Sequence, residues 1–221
     1  MLVKTLFAAA ALLAVNEGRA QSVTNTYSFT PALLIPDNNL NGVADAHTVV
    51  SDVFNLSQLI VTLAISGGFN GDFYAYLAHD TGFAVLLNRA GRTGANDLGY
   101  ADSGFDVIFA ETSTNGDIHN YQAVFNPAGG SLTGTWQPDG RDIFPTNAVD
   151  TTPRTATLAD FYGLNANGEW RLYVADLSSG GIGTLTGWGI TAIGVPEPAT
   201  WSLLALAAAG FGLHRKMRTR R

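Results

Sequence analysis

Residues 167–176 read Asn-Gly-Glu-Trp-Arg-Leu-Tyr-Val-Ala-Asp. Trp170, Leu172 and Val174 fall on alternate positions behind an Asn-Gly turn signal, the period of a strand with one face in a core. The same alternation recurs on both sides of this stretch. Upstream, Leu59, Val61, Leu63 and Ile65 run to the stop Gly67-Gly68, and Phe73, Ala75 and Leu77 follow Asn70-Gly71-Asp72, which reads as a hairpin turn. Phe105, Val107 and Phe109 repeat the pattern, and downstream Trp188, Ile190 and Ala192 close the body. Further turn signals stand at Asn41-Gly42, Asn115-Gly116, Asp139-Gly140 and Gly180-Gly181, and only Leu158 to Tyr162 hints at a helical turn. Seven to nine short strands joined by glycine-rich turns predict an all-β, antiparallel β-sandwich, with no internal repeat to suggest a solenoid or propeller.

Both ends differ from this body. Met1 to Ala20 carry Lys4, the apolar run Leu6 to Val15 and then Gly18-Arg19-Ala20, which read as a secretory signal peptide cleaved between Ala20 and Gln21. At the other end, Val195-Pro196-Glu197-Pro198 precedes an apolar segment that is 15 residues long from Ala199 to Leu213, and five of the last seven residues are basic. Such a segment is short for a bilayer span of about 20 residues, so it reads as a short hydrophobic helix that anchors transiently, its basic end cytoplasmic. The order Val-Pro-Glu-Pro, apolar helix, Arg-rich terminus closely resembles the PEP-CTERM sorting signal of Gram-negative bacteria. That resemblance implies export across the inner membrane, processing by an exosortase, and a place at the cell surface or outside the cell, commonly beside exopolysaccharide and biofilm. The organisation is therefore 1–20 signal peptide, 21–34 N-terminal segment, 35–194 sandwich and 195–221 sorting signal.

Charge and composition narrow the function. There is no cysteine in the 221 residues, which excludes disulfide scaffolds, thiolate metal sites and thiol nucleophiles. Between Gln21 and Gly194, five arginines and no lysine stand against sixteen acids, a net charge of −11. That surface repels nucleic acid and anionic lipid. Fourteen of the sixteen acids are Asp.

A second resemblance covers roughly Ile35 to Ile193. Ile35-Pro36-Asp37-Asn38, Gly71-Asp72-Phe73-Tyr74-Ala75-Tyr76-Leu77, Gly104-Phe105-Asp106-Val107-Ile108-Phe109, Leu132-Thr133-Gly134-Thr135-Trp136 and Gly168-Glu169-Trp170-Arg171-Leu172-Tyr173-Val174-Ala175-Asp176 occur in order. Together they resemble the P domain (P/Homo B) of subtilisin-like proprotein convertases, with the Gly-x-Trp-x-Leu-x-Val-x-Asp block the most diagnostic. The resemblance implies a jelly-roll sandwich that supports a catalytic domain. It departs from the family at Ala78-His79-Asp80-Thr81-Gly82, and about 14 residues separate the signal peptide from the matching region.

Catalytic patterns are thin. There is no Gly-x-Ser-x-Gly, and His47, His79, His119 and His214 are scattered; His119 reads as packing or capping a turn. Asp72 and Asp176 could face each other as a hydrolytic pair, without the aromatics and basic groups a glycosidase cleft carries. Calcium is the better expectation, since it takes six to eight oxygens of the kind Asp-rich loops offer. Its candidate ligands are Asp72, Asp97, Asp102, Asp106 and Asp176; the alternative is that these aspartates cap their own turns. Tyr74 and Tyr76 point away from the Phe73 and Leu77 face, and such a stripe can stack on sugar rings unless a second sheet buries it. Trp136, Trp170 and Trp188 are expected in the core. The sequence thus predicts a non-enzymatic secreted or cell-surface protein that binds exopolysaccharide or other matrix material. The alternative is an accessory module docking on a secreted protease or other secreted protein.

Overall fold

The computed structural model of the chain describes residues 22–194. The expected signal peptide with its Ala20–Gln21 junction, the sorting motif Val195, Pro196, Glu197 and Pro198, and the apolar segment after it lie outside the described residues. Ten strands form the body: β1 (Val23–Phe29), β2 (Leu33–Ile35), β3 (Asn39–Val49), β4 (Leu56–Gly67), β5 (Phe73–His79), β6 (Gly82–Asn88), β7 (Phe105–Phe109), β8 (Leu132–Trp136), β9 (Gly168–Asp176) and β10 (Gly183–Gly194). They make two sheets. The first runs β1-β10-β4-β7-β8, with β2 continuing the β1 edge along β10; the second runs β3-β9-β5-β6.

The alternating strands supply the core. Leu59, Val61, Leu63 and Ile65 of β4, Phe105, Val107 and Phe109 of β7, and Trp188, Ile190 and Ala192 of β10 face Phe73, Ala75 and Leu77 of β5 and Trp170, Leu172 and Val174 of β9 across the sandwich, all buried. Trp136 and Trp170 are fully enclosed, and burial of each such side chain contributes roughly 1.5–3 kcal/mol. Trp170 is also satisfied as a donor, its Nε1 giving a 2.9 Å bond to the carbonyl of Ala166.

Three features differ from the sequence reading. Asn70–Asp72 is a 3₁₀ turn, and the strands it joins, β4 and β5, lie in different sheets. It is a crossing between layers rather than a hairpin turn, because both strands bury one full face and must do so from opposite sides of one core. Second, β7 and β8 pair in parallel, with the crossover 110–131 carrying a 3₁₀ segment at Ile118–Ala123. The other pairings among the named strands are antiparallel. Third, Asn41-Gly42 does not end a strand. It lies inside β3, at a register irregularity between Asn39 and Val43 opposite β9.

Gly42 has φ +48°, and a Cβ there would run into the backbone of Val174 and Ala175 on β9. Both the left-handed backbone and the close approach select glycine. Gly42→Ala is expected to lower stability by about 1–3 kcal/mol, the range of overpacked sites, read as a lower urea midpoint. An unchanged midpoint would show that β3 and β9 separate without cost.

Candidate functional site

The outer face of the second sheet carries an aromatic cluster. Tyr74 and Tyr76 of β5 point away from the core, as the alternation requires, and both are half-buried. Tyr76 pairs in register with Tyr173 of β9. Their rings stack at 4.8 Å with 19° between planes. Tyr74 closes the triangle, 5.9 Å from Tyr76 and 6.3 Å from Tyr173. Phe83 of β6 extends it, 5.1 Å from Tyr76. Tyr173 stands on the exposed parity of the Trp-x-Leu-x-Val stretch, but its place beside Tyr76 follows only from the pairing of β9 with β5.

Local structure holds this face in place. A bulge between Ala75 and Tyr76, where β6 carries one extra residue, brings Val85 opposite Tyr76 and Asn88 opposite Tyr74. The Asn88 amide donates to the carbonyls of Arg141 (2.9 Å) and Ile143 (3.1 Å). These bonds hold the carbonyls of the residues before and after Asp142, an exposed residue whose charge acts on Tyr74. Burial, with Asp142 and the neighbouring tyrosines, pushes the Tyr74 phenol up to about 12, so it stays a neutral donor at any physiological pH. The Tyr173 hydroxyl donates to the carbonyl of Leu40. Next to it opens a cavity of about 210 Å³ walled by Asn38, Leu40, Phe144 and Leu177 among others. Leu40 and Phe144 are 46% and 55% exposed, so the aromatic cluster passes into an apolar rim.

The five aspartates expected to hold calcium do not converge on one place. Asp102 is buried and fully engaged: Tyr121 Oη donates to it at 2.7 Å, Gln122 Nε2 at 2.6 Å and the Gly129 amide at 2.7 Å. Asp97 is exposed, with its carboxylate 3.4 Å from Arg92. Asp106 stands on the solvent side of β7. Only Asp72 and Asp176 come together, with Asp37 beside them. Asp176 is fully buried; its Oδ1 accepts from the Ser178 amide at 3.2 Å and its Oδ2 has no partner. Burial, then the charges of Asp72 and Asp37, push the Asp176 carboxyl up to about 6. Asp72 is raised in the same way, chiefly by burial, and Arg89, 3.7 Å away, works against that. Among the described residues no group of three or more His, Asp or Glu side chains is arranged to hold a metal ion.

The histidines are committed as well. Both ring nitrogens of His79 face carbonyls, of Glu169 at 2.8 Å and Asn165 at 2.7 Å, and its ring stacks 4.0 Å from Trp170. His79 lines an open cavity of about 600 Å³ whose other ionic groups are Asp80, Arg171 and Glu169, the last two paired with each other. His119 lies in the 3₁₀ segment Ile118–Ala123 and packs there rather than capping it. It is completely buried between Asp139 Oδ2 (2.8 Å) and the carbonyl of Arg92 (2.8 Å), so its second nitrogen has no serine to activate.

Residues 194–216 match the PEP-CTERM protein-sorting motif. The chain carries that sorting signal. It is accordingly an exported, exosortase-sorted protein of Gram-negative bacteria, found at the cell surface or outside the cell. No curated protein matches the chain. Among solved structures, the serine protease of Aeromonas sobria is similar at 15% identity and a TM-score of 0.44, covering 79% of this chain and 27% of that one. The complex of that protease with its chaperone (ORF2) gives 13% identity and a TM-score of 0.43 over 79% and 27%. The chain thus spans about a quarter of the length of the structures it matches, at 27%.

Proposed function

We propose that the sandwich is a non-catalytic module that binds extracellular matrix polysaccharide through the Tyr74–Tyr76–Tyr173 face. The observation that carries this reading is the stacked ring cluster on the solvent side of β5 and β9, with the Tyr173 hydroxyl held by the Leu40 carbonyl and an apolar rim beside it. Sugar rings present apolar C–H faces and polar edges, and half-exposed tyrosines on a rigid sheet offer both complements at little entropic cost. The sorting signal supports this reading, because export puts the face outside the cell, where polysaccharides are available to it.

The test is co-sedimentation of the exported protein with the exopolysaccharide of its own producer, with calcium and with chelator. Saturable binding is expected in both conditions, because the aromatic face needs no cation. Tyr76→Ala removes the ring at the centre of the cluster and is expected to weaken binding by about tenfold, or 1.4 kcal/mol. Binding that survives Tyr76→Ala unchanged would sink the aromatic site. Binding abolished by chelator would return attention to the aspartates. No binding at all would turn the reading toward a secreted protein partner docking on the same rim.

A further inference from the structure

We infer that the polysaccharide recognised by this face is an amino-sugar polymer bearing free ammonium groups, with Asp142 as their counter-charge. The inference rests on the polysaccharide reading above and narrows it to a chemical class. Asp142 is exposed, yet its backbone is not free: Asn88, the register partner of Tyr74, grips the carbonyl before it and the carbonyl after it. A carboxylate held near Tyr74, at one end of the ring cluster, is the arrangement that attracts an ammonium group, through the negative ring faces and the full charge together.

The positive charges of the body support the same conclusion. An acidic sugar would need a guanidinium or ammonium to pair with, and the described residues contain no lysine. Arg89 and Arg141 are buried against Asp72 and Asp139. Arg92 reaches the carbonyl of Ala148 at 2.6 Å, and Arg154 reaches Gln137 and the carbonyls of Pro138 and Asp139. Arg171, on the same face of β9 as Tyr173, is joined to Glu169 at 2.8 Å. Every arginine of the body is therefore engaged, while the net charge from Gln21 to Gly194 is −11. That field attracts a polycation and repels a polyuronate.

The experiment is calorimetric titration of the exported protein at pH 6 with three β-linked or α-linked probes: a glucosamine hexamer, an N-acetylglucosamine hexamer and a galacturonate hexamer. The glucosamine hexamer is expected to bind about tenfold or more tightly than its acetylated counterpart, and the galacturonate hexamer not at all. Asp142→Asn should abolish that preference and leave the acetylated probe unchanged. Asp52→Asn, an equal charge change at an exposed position away from the face, should leave both as they are. A preference that persists in Asp142→Asn, or falls equally in Asp52→Asn, overturns the assignment to Asp142. Tighter binding of the galacturonate hexamer, or binding of the producer's polymer without either amino-sugar probe, overturns the amino-sugar class while the polysaccharide reading stands. That reading itself fails when neither probe nor polymer responds to Tyr76→Ala.

Discussion

Asp139→Ala is expected to destabilise the folded domain by about 3–5 kcal/mol, a large part of the roughly 5–15 kcal/mol a domain has. Asp139 is fully buried, and three groups depend on it. His119 Nδ1 lies 2.8 Å from its Oδ2, Arg141 Nη1 lies 3.2 Å from its Oδ1, and the Asn88 backbone N–H donates to it at 3.3 Å. Because the other nitrogen of His119 faces the Arg92 carbonyl, both bonds are made only by an imidazolium. Removing the carboxylate would leave buried His119 without its counter-charge and Arg141 with Asp117 alone, at 3.3 Å. The damage would spread, since the Asp139 and Gly140 amides donate to Leu86 and Val85 and so seal the outer edge of β6. Urea denaturation would measure the loss, and a change below about 1 kcal/mol would mean that the cluster is not ionised.

The same cluster makes stability depend on pH. Burial alone would lower the His119 pKa, but the hydrogen bond and charge of Asp139 outweigh it and leave the pKa above 6.5. A histidine raised on folding contributes stability that is fully present below its unfolded pKa and is lost as pH rises through the folded one. Denaturation midpoints are therefore expected to fall on the alkaline side of pH 6.5, and His119→Gln to remove that fall.

Much of the sandwich was legible, for a physical reason particular to each strand. β4, β5, β7, β9 and β10 bury one face and leave the other wetter, so their sequences alternate. β6 reads Gly-Phe-Ala-Val-Leu-Leu-Asn, nearly continuous in apolar residues, because the segment after Asp139 covers the side that would otherwise meet solvent. β1 is polar, Val-Thr-Asn-Thr-Tyr-Ser-Phe, as an edge strand can be, and alternation is too faint there to mark it. In β3 the Asn-Gly pair that signals a turn elsewhere accommodates an irregularity in mid-strand. The site was half legible. Parity placed Tyr74 and Tyr76 on the outer face, whereas Tyr173 and Asp142 reach them only through sheet register and the Asn88 clamp. Aspartate composition was a poor guide to ligands, because it does not say which carboxylates are already satisfied: Asp102 belongs to Tyr121, Gln122 and Gly129.

Asp176→Asn is expected to do the opposite of Asp139→Ala and stabilise the domain at pH 8. Asp176 is wholly buried, one of its oxygens has no hydrogen bond, and the charges acting around it are those of Asp72, Asp37 and Arg89. Its carboxyl is raised from 3.8 to about 6. A raised acid holds its proton more tightly in the folded state, so its favourable contribution is complete below pH 3.8 and is lost as pH rises through about 6. Above that it is a constant penalty of up to about 3 kcal/mol, which is two pKa units at about 1.4 kcal/mol each. An amide keeps the acceptor that Ser178 uses and carries no charge, so most of that penalty should vanish, along with the decline in stability between roughly pH 4 and 6. This window lies below that of His119, and the two titrations separate in one series of denaturation curves. A loss of stability in Asp176→Asn would mean that the ionised carboxylate has a favourable partner. Calcium would be the first to test: a cation held there would raise the melting temperature of the parent protein and leave that of the amide variant unmoved.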